Sequence, residues 1–494
     1  MKRLLLSVFA AALTTAWAVP STAADFTFGG EYRLRTEYRE DMDFNKNVVD
    51  GSDFWMQRVR LTANAKATED TTVKITLQDT RMWGATTNAG GGPQLTDNGA
   101  TNTFTTASQG APGSSNSTDL HESYLNVAKL FDSNMSVRLG RQELAYGDQR
   151  LIGHFGWSNN GRSFDAIKFT HAGDVANVDL FYSKITEANI TNTDQEFSGI
   201  YASSAKLLPG HTLDVYALTL RDHAKGGTPF GWGATLGNTT VEGTPDKTQV
   251  LNTYGVRVKG ATAGIDYTAE LPVQRGSIST RVVNGAGTNT AQTHNYRIKA
   301  SAFALKVGYN VPAAAKLRIG FEYDRASGDK SGNYANGNTR APRKDETINT
   351  FFNLFPTNHD KLGLMDQQAW RNVRAWNLNA SLSPMDKVSL LASYWKFKLD
   401  SRYDAWYGAA SWNTNPAGIR AANTETTARG ASDDIGREID LIANYKYNSS
   451  VTLELGAARF LPGKFVKNKI ETSYITDKDT KPQDWAYFSV TSAF

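Results

Sequence analysis

The sequence predicts an all-β fold, a closed transmembrane antiparallel β-barrel of about eighteen strands. Three observations carry this. Period-two segments run through the chain from Asp25 onward, their connectors alternate between short and long, and the last segment, residues 485–494, is itself such a strand ending on an aromatic. Short turns on one side and long loops on the other mark a barrel inserted with both termini in the periplasm. A soluble sandwich gives no reason for this asymmetry, and a solenoid would show a repeating residue motif, which the chain lacks.

The two ends set the compartment. Lys2 and Arg3 precede an apolar run over residues 4–19, and Thr22, Ala23 and Ala24 follow, the three-part layout of a secretory signal. Residues 1–24 are therefore expected to be a signal peptide cleaved before Asp25, with a second small-residue site after Ala18, and residues 25–494 a single barrel domain. Beyond Asp25 no stretch approaches the ~18 apolar residues of a spanning helix. A closed barrel is then the remaining way to satisfy every backbone donor and acceptor in hydrocarbon. In the last strand Phe488, Val490 and Phe494 share one face, and Ser489, Thr491 and Ala493 the other. That strand is expected to close the barrel and to be the segment the barrel-assembly machinery recognises. The expected location is the outer membrane of a Gram-negative bacterium, in contact with its lipid.

Composition narrows the alternatives. The chain has no Cys, which excludes disulfides and thiolate metal sites. Its formal charge of +4 falls to +2 once Lys2 and Arg3 are removed, too balanced to suggest a nucleic-acid partner.

The short connectors are residues 67–70, 131–134, 172–174, 208–210, 260–262, 311–315, 383–386 and 448–450; the long polar ones include 85–118, 223–249, 276–293, 327–369, 401–434 and 462–484. Side chains alternate across a strand, so residues 54–66 put Trp55, Val59, Leu61, Ala63 and Ala65 toward lipid and Arg58, Arg60, Thr62, Asn64 and Lys66 toward a wet lumen. Tyr254, Val256 and Val258 oppose Arg257 and Lys259 in the same way. Ile319, Phe321 and Tyr323 oppose Arg318, Glu322 and Asp324, while Ile439 and Leu441 oppose Glu438 and Asp440. Trp55, Trp83, Tyr182, Tyr309, Trp376, Tyr445, Tyr447 and Trp485 fall near strand ends, where amphipathic rings suit the headgroup zone and form girdles.

Arginine concentrates at the inferred lumen positions: Arg33, Arg35, Arg58, Arg60, Arg138, Arg257, Arg297 and Arg318. A planar, weakly hydrated guanidinium binds carboxylate and phosphate, so such a ladder can pass an anion from site to site. Glu31, Glu37, Asp266, Glu270, Glu322, Glu438, Asp440 and Glu454 point inward by the same parity, and an Arg–carboxylate network that stiffens the wall is the other reading.

Residues 140–165, GRQELAYGDQRLIGHFGWSNNGRSFD, are dense in Arg, Asp and Gly and join two strands on the external side. Here the chain resembles the alginate export family of outer-membrane porins, and the resemblance recurs in TFFNLFPTNHDKLGLMD (350–366), GREIDLIANYKY (436–447) and FLPG (460–463). The resemblance implies an eighteen-stranded barrel with a basic pore through which an anionic uronate polymer diffuses. It carries onto Arg141, Arg150 and Arg162 as basic pore positions, with Asp148 and Asp165 as their partners. The chain departs from the alginate exporter in having only short periplasmic connectors and so no evident plug loop. The alternative within transport is a nutrient-uptake porin for small anionic or neutral solutes.

Enzymatic readings find little support: no HExxH spacing and no Gly-x-Ser-x-Gly elbow is present. His154, Ser158 and Asp165 could be imagined as a triad, but a loop His among Asn and Gly is ordinarily only hydrogen-bonded. Asp324, Asp329, Ser331 and Asn333 offer hard oxygen ligands for a loop Ca²⁺, but a solvated Gly-Asn loop is much the commoner reason for such residues. No catalytic residue, metal site or cofactor is predicted, and an adhesin using its long loops is a further alternative.

Overall fold

A computed structural model describes residues 24–41, 44, 46, 51–83, 117–186, 194–223, 248–282, 292–312, 315–330, 347–408, 432–473 and 480–494. The proposed signal segment lies almost wholly outside them, as do Ser331 and Asn333.

Eighteen long strands form one antiparallel up-and-down ring: β1 (Asp25–Glu40), β2 (Ser52–Lys66), β3 (Thr71–Met82), β4 (Ser117–Val127), β5 (Met135–Gln142), β6 (Phe164–Ala172), β7 (Asn177–Thr186), β8 (Gln195–Ser204), β9 (His211–Asp222), β10 (Gln249–Thr262), β11 (Ile265–Val282), β12 (Gln292–Asn310), β13 (Arg318–Ala326), β15 (Val373–Met385), β16 (Val388–Lys398), β17 (Asp434–Lys446), β18 (Val451–Pro462) and β19 (Gln483–Ala493). A two-residue strand, β14 (Thr347–Ile348), adds in parallel to β12 without entering the ring. β1 pairs with both β2 and β19, Leu34 opposing Val490, so no edge remains. At the seam the Phe494 N–H donates to the Gly30 carbonyl (3.1 Å) and the Gly30 N–H to the Phe494 carbonyl (2.7 Å). A Cβ at Gly30 would stand 2.6 Å from the Phe494 ring, so this close approach requires glycine. Among the described residues no helix is long and apolar enough to cross a membrane.

The eight expected short turns mark the eight junctions between consecutive strands on the side of both termini, but at two of them the strand runs through the expected residues, 260–262 belonging to β10 and 383–385 to β15, so that the turns are residues 263–264 and 386–387. Two long connectors differ from expectation. β11 and β12 continue to Val282 and from Gln292, giving strands of 18 and 19 residues, and the connector before β19 holds a helix, α1 (Lys464–Ser473), with Phe465, Val466 and Ile470 buried.

The outward face is apolar where expected: Trp55, Leu61, Tyr254, Val256, Ile319, Phe321, Ile439 and Leu441 are exposed, and their inward neighbours Arg58, Arg257, Glu322, Asp324, Glu438 and Asp440 are buried. The girdle assignment holds for Trp55, Trp83, Tyr182, Tyr309, Tyr445 and Tyr447, all exposed. Trp485 is a correction. It turns inward and is buried, with its indole N–H donating to Glu37 (3.0 Å).

The lumen is not wet throughout. Toward the external end the inward residues Phe181, Phe197, Leu218, Leu220, Leu251, Ile278, Ile298 and Phe397 are buried against Leu151, Ile152, Phe351, Phe355 and Met365. The latter belong to residues 143–163 and 349–372, two external connectors folded down into the barrel. Leu144, Leu151, Ile152 and Phe355 need an apolar partner surface, and the upper barrel wall supplies it.

Candidate lumenal constriction

Residues 143–163 cross the barrel as a bar held at both ends. One end meets β1 to β3. Arg33 and Arg58 stand directly opposite each other in register, a like-charge pair that destabilises a sheet unless both find acceptors. The bar supplies them. Arg33 donates to the carbonyls of Gly156 (2.8 Å) and Ser158 (2.9 Å), and Arg58 to the same two carbonyls (3.1 and 2.9 Å) as well as to Glu31 (2.7 Å). Arg35 donates to the Trp157 carbonyl (2.6 Å), pairs with Glu37 (2.8 Å) and lies over the Trp157 ring at 3.8 Å. His359 stacks on Trp157 at 3.7 Å between centroids, so the indole carries imidazole and guanidinium together. Arg60 donates to Gln78 (2.7 Å) and approaches Glu143 (3.7 Å). Burial would raise the Glu143 carboxyl, but its bond to His121 and the nearby cations hold it below the usual carboxylate range.

The other end meets the opposite wall. β10 stands nine places from β1 in a ring of eighteen, directly across it. There Arg257 donates to Asp214 (2.7 Å) and to Asp148 of the bar (2.5 Å). Arg150 of the bar pairs with Glu322 and with Asp324 (2.9 Å) on β13 and lies 5.1 Å from the Trp370 ring. Burial opposes its charge, and the two carboxylates outweigh burial and hold its protonation up.

A second inward segment locks the bar. Ile152 and Phe355 form a parallel bridge, the Gly153 N–H donates to the Phe355 carbonyl (2.9 Å), and the Phe355 N–H to the Leu151 carbonyl (2.9 Å). Arg162 donates to the carbonyls of Gly153 (3.0 Å), Phe355 (2.6 Å) and Pro356 (2.8 Å). Burial pushes this guanidinium down to about 9, still charged at neutral pH. The segment is tied to the wall where Gln274 exchanges two bonds with the Phe352 backbone (2.7 and 2.9 Å) and where the Met365 N–H donates to Glu438 (2.9 Å).

Two cavities flank the bar. One of about 420 Å³ is lined by Arg33, Arg35, His154, Trp157, Lys361 and Tyr487 among others. The other, of about 350 Å³, is lined by Arg60, Lys74, His121, Glu122 and Glu143 with the polar Thr62 and Asn64.

The structure therefore brings together Arg33, Arg35, Arg58, Arg60, Asp148, Arg150, Arg162 and Arg257 around one bar. Arg138 and Arg318 face the lumen nearer the periplasmic turns, over the Tyr124 ring (4.4 Å) and paired with Asp266 (2.6 Å) respectively. Three expected pore positions face away from it. Arg141 and Asp165 pair with each other (3.2 Å) on the outer surface, because Gln142 and Phe164, their sequence neighbours, take the buried inner face. Arg297 is exposed outward between the inward Tyr296 and Ile298. With Asp165 outside, it does not converge with the inner-loop residues His154 and Ser158. Asp324, offered as a metal ligand, is paired with Arg150, and among the described residues no cluster of three or more His, Asp or Glu is placed to hold a metal ion. Trp157, His359 and Lys361 were missed, since residues of an irregular loop follow no period.

A closed barrel with an apolar outer band and a charged, narrowed lumen defines a channel of the outer membrane of a Gram-negative bacterium. The family profile described as alginate export matches residues 25–475, and the chain belongs to that family. Similar solved structures include Acinetobacter baumannii OccAB1 (TM-score 0.53, 11% identity, 97% of this chain and 99% of that one), Pseudomonas aeruginosa OccK8 (OprE) (0.52, 12%, 95% and 98%) and a BenF-like porin from Pseudomonas fluorescens Pf-5 (0.51, 9%, 95% and 99%). At these identities the likeness is one of fold. No curated protein matches the sequence.

Proposed function

We propose that this channel passes small anionic solutes by diffusion and that the bar of residues 143–163 is its selectivity constriction. The observation that carries the reading is the charge of the inward faces of β1 and β2 where they meet the bar. Five guanidinium groups, of Arg33, Arg35, Arg39, Arg58 and Arg60, stand there with Glu31 and Glu37 of the same strands and Glu143 of the bar, and the larger cavity beside them adds Lys361 against Asp360 and Glu454. The excess is met by backbone carbonyls, which accept hydrogen bonds without cancelling charge. In a confined passage with low-dielectric walls such an excess raises local anion concentration. Residues 1–24 serve as the secretory signal, and the strand ending in Phe494 is what the assembly machinery reads.

Export of an anionic polysaccharide, which the family's description suggests, would need the bar displaced. One set of measurements separates the readings: reversal potential under a salt gradient in planar bilayers, and liposome flux of a monomeric hexuronate, the matching hexose and uronate oligomers. Anion preference with hexuronate flux above hexose flux and no oligomer flux is expected. Cation preference, or equal fluxes of hexuronate and hexose, would refute the anion reading, and oligomer passage through the intact protein would favour export.

A further inference from the structure

The outer surface of β11 and β12 carries charges the lumen does not use. Arg275 stands directly opposite Lys299, and Arg297 follows further up β12 opposite Ser277. All three side chains are exposed, and they lie outside because Gln274, Ile298 and Ala300 occupy the buried inner face. Like charges directly across a sheet repel.

Elsewhere on the outer rim such cations have carboxylates: Arg325 binds Asp400 (2.9 Å), Arg374 binds Asp433 (2.9 Å) and Arg81 binds Asp79 (2.7 Å). Among the described residues no carboxylate lies within ion-pair distance of Arg275, Arg297 or Lys299; Arg275 donates instead to the Gln274 carbonyl (2.7 Å). The connector that follows, residues 283–291, contains no Asp or Glu.

Height above the membrane completes the argument. Arg275 is ten residues beyond Ile265 at the periplasmic turn. At a rise of ~3.4 Å per residue and a tilt of ~40° that is about 26 Å, the height of the apolar band of such barrels, ~25 Å. Below it the outward residues include Leu271, Val273, Phe303 and Leu305. The three cations therefore stand at the headgroup level of the outer leaflet, above an apolar column that suits acyl chains.

We propose that Arg275, Arg297 and Lys299 bind the phosphate of an anionic glycolipid of the outer leaflet. A guanidinium fork matches phosphate geometry and the ammonium adds a point charge. A phosphate between Arg275 and Lys299 turns a repelling cross-strand pair into a bridged one.

The test uses the full-length mature protein in detergent micelles doped with diphosphorylated lipid A, with the same lipid A stripped of phosphate, or with inorganic phosphate alone. Diphosphorylated lipid A is expected to raise the unfolding temperature and to remain bound in native mass spectrometry, and the other two additions are not. Replacing all three residues (Arg275→Ser, Arg297→Ser, Lys299→Ser) should weaken binding at least tenfold. Arg325→Ser, at a rim cation already held by Asp400, should bind as the parent does. Lys299→Glu gives Arg275 an internal partner, so the lipid-free protein should unfold at a higher temperature while its response to lipid falls. Equal binding of phosphate-free lipid A, an equal response to inorganic phosphate, or unchanged binding by the triple variant would overturn the proposal.

Discussion

The two walls that hold the bar do so with opposite chemistry. On β1 and β2 the cations belong to the wall, and the bar offers them neutral carbonyls and a single carboxylate, Glu143. On β9 to β13 Arg150, Arg257 and Lys306 stand with five carboxyl groups, of Asp148, Asp214, Glu270, Glu322 and Asp324, and the bar itself contributes Arg150 and Asp148. One wall has a formal excess of positive charge and the facing wall a formal excess of negative charge. The lumen is therefore not a uniformly basic pore. The opposed chemistry also divides the contacts: the carboxyl-rich wall anchors the bar through ion pairs, while the basic wall holds it through hydrogen bonds from buried guanidinium groups to its carbonyls.

The largest expected effect comes from removing what separates the walls. Replacing residues 145–161 with a short Gly-Ser linker should leave the barrel closed, since closure rests on β1 and β19, while single-channel conductance rises severalfold and selectivity falls. Unchanged conductance would show that the bar does not set the passage.

On the carboxyl-rich wall Arg150→Met should cost about 3–5 kcal/mol, the usual penalty for stranding a buried partner, because Glu322 and Asp324 lose the cation between them. A lower unfolding temperature with noisier conductance is expected. An unfolding temperature like that of the parent would mean that this wall does not anchor the bar.

On the basic wall Arg58→Ser with Arg60→Ser should lower anion-over-cation permeability. The unfolding temperature should also fall slightly, since Glu31 loses its Arg58 partner and the Gln78 amide oxygen its Arg60 donor, at about 1–3 kcal/mol for a buried group left unsatisfied, while Arg33 still donates to the two bar carbonyls. An unchanged reversal potential with a lowered unfolding temperature would assign these residues to wall stiffening alone.

The two regions also differ in how well the sequence revealed them. Arg33, Arg58, Arg257 and Arg318 lie within the lipid-spanning part of their strands, where outward residues must be apolar and inward ones are free to be charged, so period-two parity locates them. Above the bilayer that constraint reverses. Tyr296 and Ile298 turn inward into the packed upper core and Arg297 faces outward, so the rule that apolar faces lipid inverts its placement. The same inversion hides Phe181, Phe197, Leu218 and Leu220, which look lipid-facing and instead line the upper core. The bar left no periodic trace: Leu144, Leu151, Ile152 and Phe155 are spaced by loop geometry. Only the family resemblance drew attention to Arg150 and Arg162, and it drew in the outward Arg141 and Asp165 with them.

The smallest effect concerns Asp148, the bar's own carboxylate on the carboxyl-rich wall. Burial would raise its carboxyl, but the Arg257 guanidinium outweighs burial and holds it below the usual carboxylate range. A depressed folded-state value means that the stabilisation is fully present above the unfolded value, about 4, and is lost as pH falls through the lower folded value. Asp148→Asn removes the charge at every pH. The unfolding temperature of the parent should therefore exceed that of the variant by a constant margin from neutral pH down to about pH 4, and the margin should close only below that. A part-exposed pair of this kind contributes on the order of 1 kcal/mol, so the effect is a small shift and needs both proteins titrated in parallel. If the margin closed between pH 6 and 5, the Arg257 contact would not be what holds Asp148, and the bar's attachment on this side would rest on Arg150 alone.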